Sequence, residues 1–189
     1  MGYKVLFAIM IGTIVLGTPG LSNAFNIILT SDQIHEANNY GRQYKGPEIF
    51  YSDVVRPACF GDFPKGPGGV VMSKYINVAV TSAMKALKDE ILTDEEMQEI
   101  QDSTAFKVVV NITENIQSPE DVQILLIQGS NKMVPMTTEA GMKYKDKRQD
   151  VIGFFPYDMI DTHTSTTTSI IVNIGDDQKE YKVDFSEIK

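Results

Sequence analysis

Met72-Ser73-Lys74-Tyr75-Ile76-Asn77-Val78-Ala79-Val80-Thr81-Ser82-Ala83-Met84-Lys85-Ala86-Leu87 and Phe106-Lys107-Val108-Val109-Val110-Asn111-Ile112-Thr113 run at two different periods. In the first, Met72, Tyr75, Ile76, Ala79, Val80, Ala83, Met84 and Leu87 recur at i, i+3, i+4, i+7, and polar residues take most of the other positions. That spacing predicts an amphipathic helix over 71–88 with one broad apolar stripe. In the second, Phe106, Val108, Val110 and Ile112 alternate with Lys107, Val109, Asn111 and Thr113, which is the period of a strand. The fold is decided where the period changes, between 88 and 106.

Upstream of the switch the signals are helical. Thr30-Ser31-Asp32-Gln33 supplies a hydroxyl N-cap and a glutamine at the capping-box position, and Ile34, Ala37, Tyr40 and Tyr44 follow at helical spacing. A helix over 31–44 is expected, ended by Gly46-Pro47. Thr93 caps a further helix whose first turn holds Asp94, Glu95 and Glu96, where the helix dipole favours acids. It ends near Asp102. Residues 46–69 are broken by four prolines and five glycines and are expected to be loop, apart from a short extended piece over 48–55. Phe50, Tyr51, Phe60 and Phe63 make this loop one that packs down on the core.

Downstream the signals are strands. Residues 122–127 are apolar on both faces, 151–155 form a short apolar run ending at Pro156, and 168–174 and 181–185 alternate. Gly175-Asp176-Asp177-Gln178 joins the last two as a hairpin. Helices first and strands afterwards make the class α+β. About three N-terminal helices are expected to pack on a C-terminal antiparallel sheet, with the stripe of 71–88 buried against Val108, Val110, Leu126 or their strand neighbours. A β-sandwich with appended helices is the alternative.

Residues 1–24 have the layout of a secretory signal peptide. Lys4 precedes an almost continuous apolar run over 5–17, Thr18-Pro19-Gly20 breaks it, and Ser22-Asn23-Ala24 places small residues before a cut at Phe25. The run is shorter than the roughly 20 residues that span a bilayer. The expectation is export to the periplasm or the cell exterior, with no stable membrane anchor once the signal is removed. Residues 25–189 then form a single domain, mainly helical over 25–103 and mainly β over 104–189. The chain carries a net charge of −8. Loss of Lys4 makes the mature protein more negative still, so nucleic acid is not an expected partner.

Candidate chemistry is sparse. Cys59 is the only cysteine, which excludes an intramolecular disulfide. Its possible imidazole partners for thiol catalysis are His35 and His163, and neither lies in a nucleophile signature. Cys59 is therefore read as a small buried hydrophobe. Asp158, Asp161 and His163 form the one compact group of potential metal ligands, at a spacing that matches no standard site. The glycine-rich stretch 61–69 lacks the Gly-Lys-Ser/Thr closure of a phosphate loop. Asn111-Ile112-Thr113 fits a glycosylation acceptor but falls inside a strand. Lys143-Tyr144-Lys145-Asp146-Lys147-Arg148, the densest basic stretch, reads as a solvated loop. No cofactor is implied. The residues point to an exported, non-enzymatic protein that binds an unknown partner protein or small ligand. A cell-envelope assembly subunit with an open sheet edge, or a hydrolase or thiol enzyme using Cys59 with a histidine, are the alternatives.

Overall fold

A computed structural model describes residues 25, 27–114, 116–161 and 167–189. The expected signal segment and His163 lie outside the described residues. The chain is α+β, with its α-helices among residues 31–102 and two antiparallel sheets, one of which includes a hairpin that lies in sequence between the first and second helices.

Helix α1 spans Ser31–Arg42. Its capping box is complete: the Thr30 hydroxyl accepts from Gln33 N at 3.3 Å, and Gln33 Oε1 accepts from Thr30 N at 2.9 Å. Helix α2 spans Lys74–Ala86 and begins at Ser73, whose Oγ accepts from Ile76 N at 3.2 Å. Helix α3, Asp94–Asp102, repeats the capping box with Thr93 and Glu96.

The strands are β1 Cys59–Gly61, β2 Gly68–Met72, β3 Ala105–Ile112, β4 Val122–Gln128, β5 Asn131–Met133, β6 Thr137–Lys143, β7 Gln149–Pro156, β8 Thr167–Ile174 and β9 Asp177–Asp184. One sheet has the order β1-β2-β3-β7-β6 and the other β5-β4-β8-β9. The sheets pack face to face. Ile124 of β4 lies against Gly153 of β7, and the rings of Phe60 and Tyr181 stand 5.2 Å apart.

Strand β3 shows why the chain makes three layers. Its even residues Phe106, Val108, Val110 and Ile112 are all buried and share their face with Gly153, turned toward the second sheet. Its odd residue Val109 is in register with Val70 of β2 and Ile152 of β7, on the opposite face, which α2 covers. The α2 stripe is buried at Tyr75, Ile76, Ala79, Val80 and Ala83, as expected. Val108, Val110 and Leu126 themselves face the space between the sheets, and it is their strand neighbours on the outer sheet face that the stripe meets, together with α1. Leu87 departs from the stripe: α2 stops at Ala86, and Leu87 is 53% exposed.

Gly41 sets how closely α1 approaches α2. A Cβ there would stand 2.1 Å from the Ala79 carbonyl oxygen. A residue that disfavours helix by about 1 kcal/mol is retained because only hydrogen fits the crossing.

Residues 46–69 are more ordered than their composition suggests. Gly46–Tyr51 is a 3-10 helix where an extended piece is expected, Arg56–Ala58 is another, and β1 and β2 form a hairpin closed by Asp62 N donating to Pro67 O at 2.9 Å. The stretch 61–69 is thus the tip and return of a hairpin. Gly69 allows that return strand to lie against β3: a Cβ there would stand 2.0 Å from Val109 O.

Candidate functional site

A cavity of about 460 Å³ lies between the helical layer and the outer face of the five-stranded sheet. Its floor is the register row Val70, Val109 and Ile152, extended by Met72. Val80 and Met84 of α2 form the roof. Phe50 and Phe63, whose rings meet edge to face at 4.8 Å, close one side, and Met142 of β6 stands at the other. These positions follow from the alternation of β2, β3 and β7, which sends one side chain in two to this face.

One wall is polar. Asn111 and Asp150 are directly opposite in the β3–β7 register, so their side chains project together, and Asn111 Nδ2 donates to Asp150 Oδ1 at 2.7 Å. The Tyr144 hydroxyl donates to Asp150 Oδ2 at 2.9 Å. Arg148 stacks over the Tyr144 ring at 5.2 Å, donates through Nη1 to Pro64 O at 2.9 Å and through Nε to Asp146 Oδ2 at 2.8 Å. Burial raises the Asp150 carboxyl above its ordinary range, and the Asn111 and Tyr144 donors and the Arg148 charge pull it back. Burial and the Asp150 charge push the Tyr144 phenol upward, so it stays protonated as a donor. Asn111 is 2% exposed, and its Oδ1 is buried without a partner.

A more open polar cleft of about 530 Å³, between Tyr51, Arg56, Asp62 and Lys65, shares Tyr51 and Phe63 with the apolar cavity. A basic cleft bounded by Lys143, Lys147 and Arg148 adjoins the Tyr144 side.

The residues singled out in the sequence lie elsewhere. Cys59 is half-buried, and its thiol donates toward Val55 O at 3.5 Å and Phe50 O at 3.9 Å. Burial pushes that thiol up to about 12, against the weaker opposing pull of Arg56. The thiolate is the reactive form, so Cys59 is held in the inert one. Labelling at pH 8 is expected to run about a thousandfold slower than for an ordinary exposed thiol and to become fast in denaturant. Fast labelling of the folded protein would contradict this. His35 stands on the exposed side of α1. Asp158 and Asp161 are exposed, and the Asp161 backbone is held by the Gln128 side-chain amide, which donates to its carbonyl and accepts from its N–H, both at 2.8 Å. Among the described residues no group of three or more His, Cys, Asp or Glu side chains gathers as a metal site.

The cavity wall drew on stretches read as something else. Asn111 belonged to the glycosylation triplet, and its Nδ2, the atom a glycan would take, is bonded to Asp150. Tyr144 and Arg148 belonged to the basic stretch. That stretch is the β6–β7 turn, closed by Tyr144 N donating to Arg148 O at 2.8 Å. The one signal available in the sequence was a polar residue, Asn111, near the end of a largely apolar strand.

No family model, no curated protein and no solved structure matches this chain.

Proposed function

We propose that this protein is exported and serves as a carrier or sensor that takes a small, mainly apolar ligand into the cavity between α2 and the five-stranded sheet, without acting on it chemically. The observation that carries the reading is the cavity itself: apolar walls from four strands and a helix, a few convergent polar groups at one end, and a volume within the usual range for small-molecule sites. Cys59 supports binding over thiol catalysis, because its hydrogen-bond acceptors are carbonyls and burial keeps its proton on. The export half rests on residues 1–24. Phe25, the residue after the expected cut, is 1% exposed among the rings of Phe106, Tyr157 and Phe185. Intact mass of protein recovered from its native compartment is expected to place the N-terminus at Phe25 or within a few residues. A species retaining Met1 would contradict export with cleavage.

Titration with the apolar probe N-phenyl-1-naphthylamine, followed by NMR of methyl-labelled methionine, tests the cavity. Met72, Met84 and Met142 line it and are expected to shift together on saturation at one probe per chain. Met97 and Met133, buried elsewhere, are expected to stay in place. Uniform or absent shifts would remove the reading.

A further inference from the structure

We infer that the ligand is a neutral amphiphile, an apolar body of moderate length ending in a hydroxyl that donates to the Asn111–Asp150 wall. This rests on the cavity-binding reading above and adds the chemistry of the head group.

Two acceptors on that wall have unused capacity. Asn111 lines the cavity, is 2% exposed, and uses its amide N–H on Asp150, which leaves Oδ1 buried with no partner. A buried acceptor in that state carries a desolvation cost that only an inserted donor recovers. Asp150 also lines the cavity. Each of its oxygens takes one donor, Asn111 Nδ2 at 2.7 Å and Tyr144 Oη at 2.9 Å, whereas a carboxylate has about four acceptor sites. A ligand O–H brought to this wall therefore meets the open acceptor capacity of Asp150, with Asn111 Oδ1 buried beside it on the paired strand.

The charges on the same wall select a neutral head. An anionic head is repelled by Asp150 and finds the Arg148 guanidinium already committed to Asp146, Pro64 and the Tyr144 ring. A cationic head, drawn to Asp150, is repelled by Arg148 beside it. Both repulsions strengthen where apolar walls lower the effective dielectric. A hydroxyl meets neither. The body is read from the rest of the site: Val70, Val80, Val109 and Ile152 offer no polar atom beyond the backbone, and Met72 and Met84 adapt their shape to what lies between them.

Displacement of N-phenyl-1-naphthylamine by four probes of matched length tests the head group. The probes are 1-octanol, its isomer heptyl methyl ether, octanoate and octylammonium. The expected result is that 1-octanol competes at least about tenfold more tightly than each of the other three. The ether keeps the oxygen and loses the donor, so equal affinity for ether and alcohol would overturn the donor inference. Octanoate or octylammonium binding as tightly as 1-octanol would overturn the neutral head. In those cases the cavity reading stands if the naphthylamine still binds. Loss of binding by all five compounds overturns both. In Asp150→Asn the octanoate penalty, measured relative to 1-octanol in the same variant, is expected to shrink about tenfold. An unchanged penalty counts against the inference, and if that variant does not fold, the wild-type panel decides alone.

Discussion

Truncation of Phe106 to alanine is expected to cost about 3–5 kcal/mol of folding stability. Phe106 is 1% exposed and lies among four other rings: Phe25 at 5.1 Å edge-on, Phe155 stacked at 5.6 Å, Tyr157 at 5.6 Å and Phe185 at 5.8 Å. These rings come from the first described residue, β3, β7, the turn after β7 and the residue after β9. Phe106 therefore joins the first and last stretches of the described residues to the five-stranded sheet. Alanine would leave a void that four rings from separate elements cannot all close, and the loss of the ring pairs is already contained in that figure. A domain commonly has only ~5–15 kcal/mol in hand, so the urea midpoint of Phe106→Ala is expected to fall steeply. A midpoint equal to wild type would show that this cluster does not hold the two halves together.

The parts of this fold that were legible in the sequence are those specified locally. The capping residues Thr30 and Thr93 and the even-numbered run from Phe106 to Ile112 each act over a few positions, and each formed where the pattern placed it. Strand β2 was not legible because all five of its residues are buried, which leaves no alternation to detect. Strand β6 was missed for the opposite reason: it is a half-exposed edge with an irregular register between Ala140 and Lys143. Leu87 shows periodicity outrunning the element that carries it. Its spacing is helical, but the helix ends one residue earlier, and Asp89 then takes a positive φ of 57°. The cavity wall was beyond local reading altogether. Asn111 and Asp150 meet only because β3 and β7 pair antiparallel in one particular register, and the two residues are 39 positions apart.

The second large effect concerns ligand uptake. Val109 sits at the centre of the cavity floor, with Val70 on one side of it in register and Ile152 on the other. Its face is turned toward the cavity and away from the packed space between the sheets. Phenylalanine at this position sends its ring into space that is empty and apolar, so the usual overpacking cost of about 1–3 kcal/mol is expected at the low end or below it. The same ring occupies the volume in which a ligand body would lie. Phe106→Ala and Val109→Phe thus separate the two faces of one strand: the first lowers stability, and the second lowers affinity while the fold is kept.

Side-by-side titration of wild type and Val109→Phe with N-phenyl-1-naphthylamine, at matched unfolding midpoints, tests the cavity most directly. Saturable one-to-one binding in the wild type, weakened at least about tenfold in the variant, is the result expected if this cavity takes the ligand. Equal affinity in the two proteins, or no saturable binding in either, would contradict it.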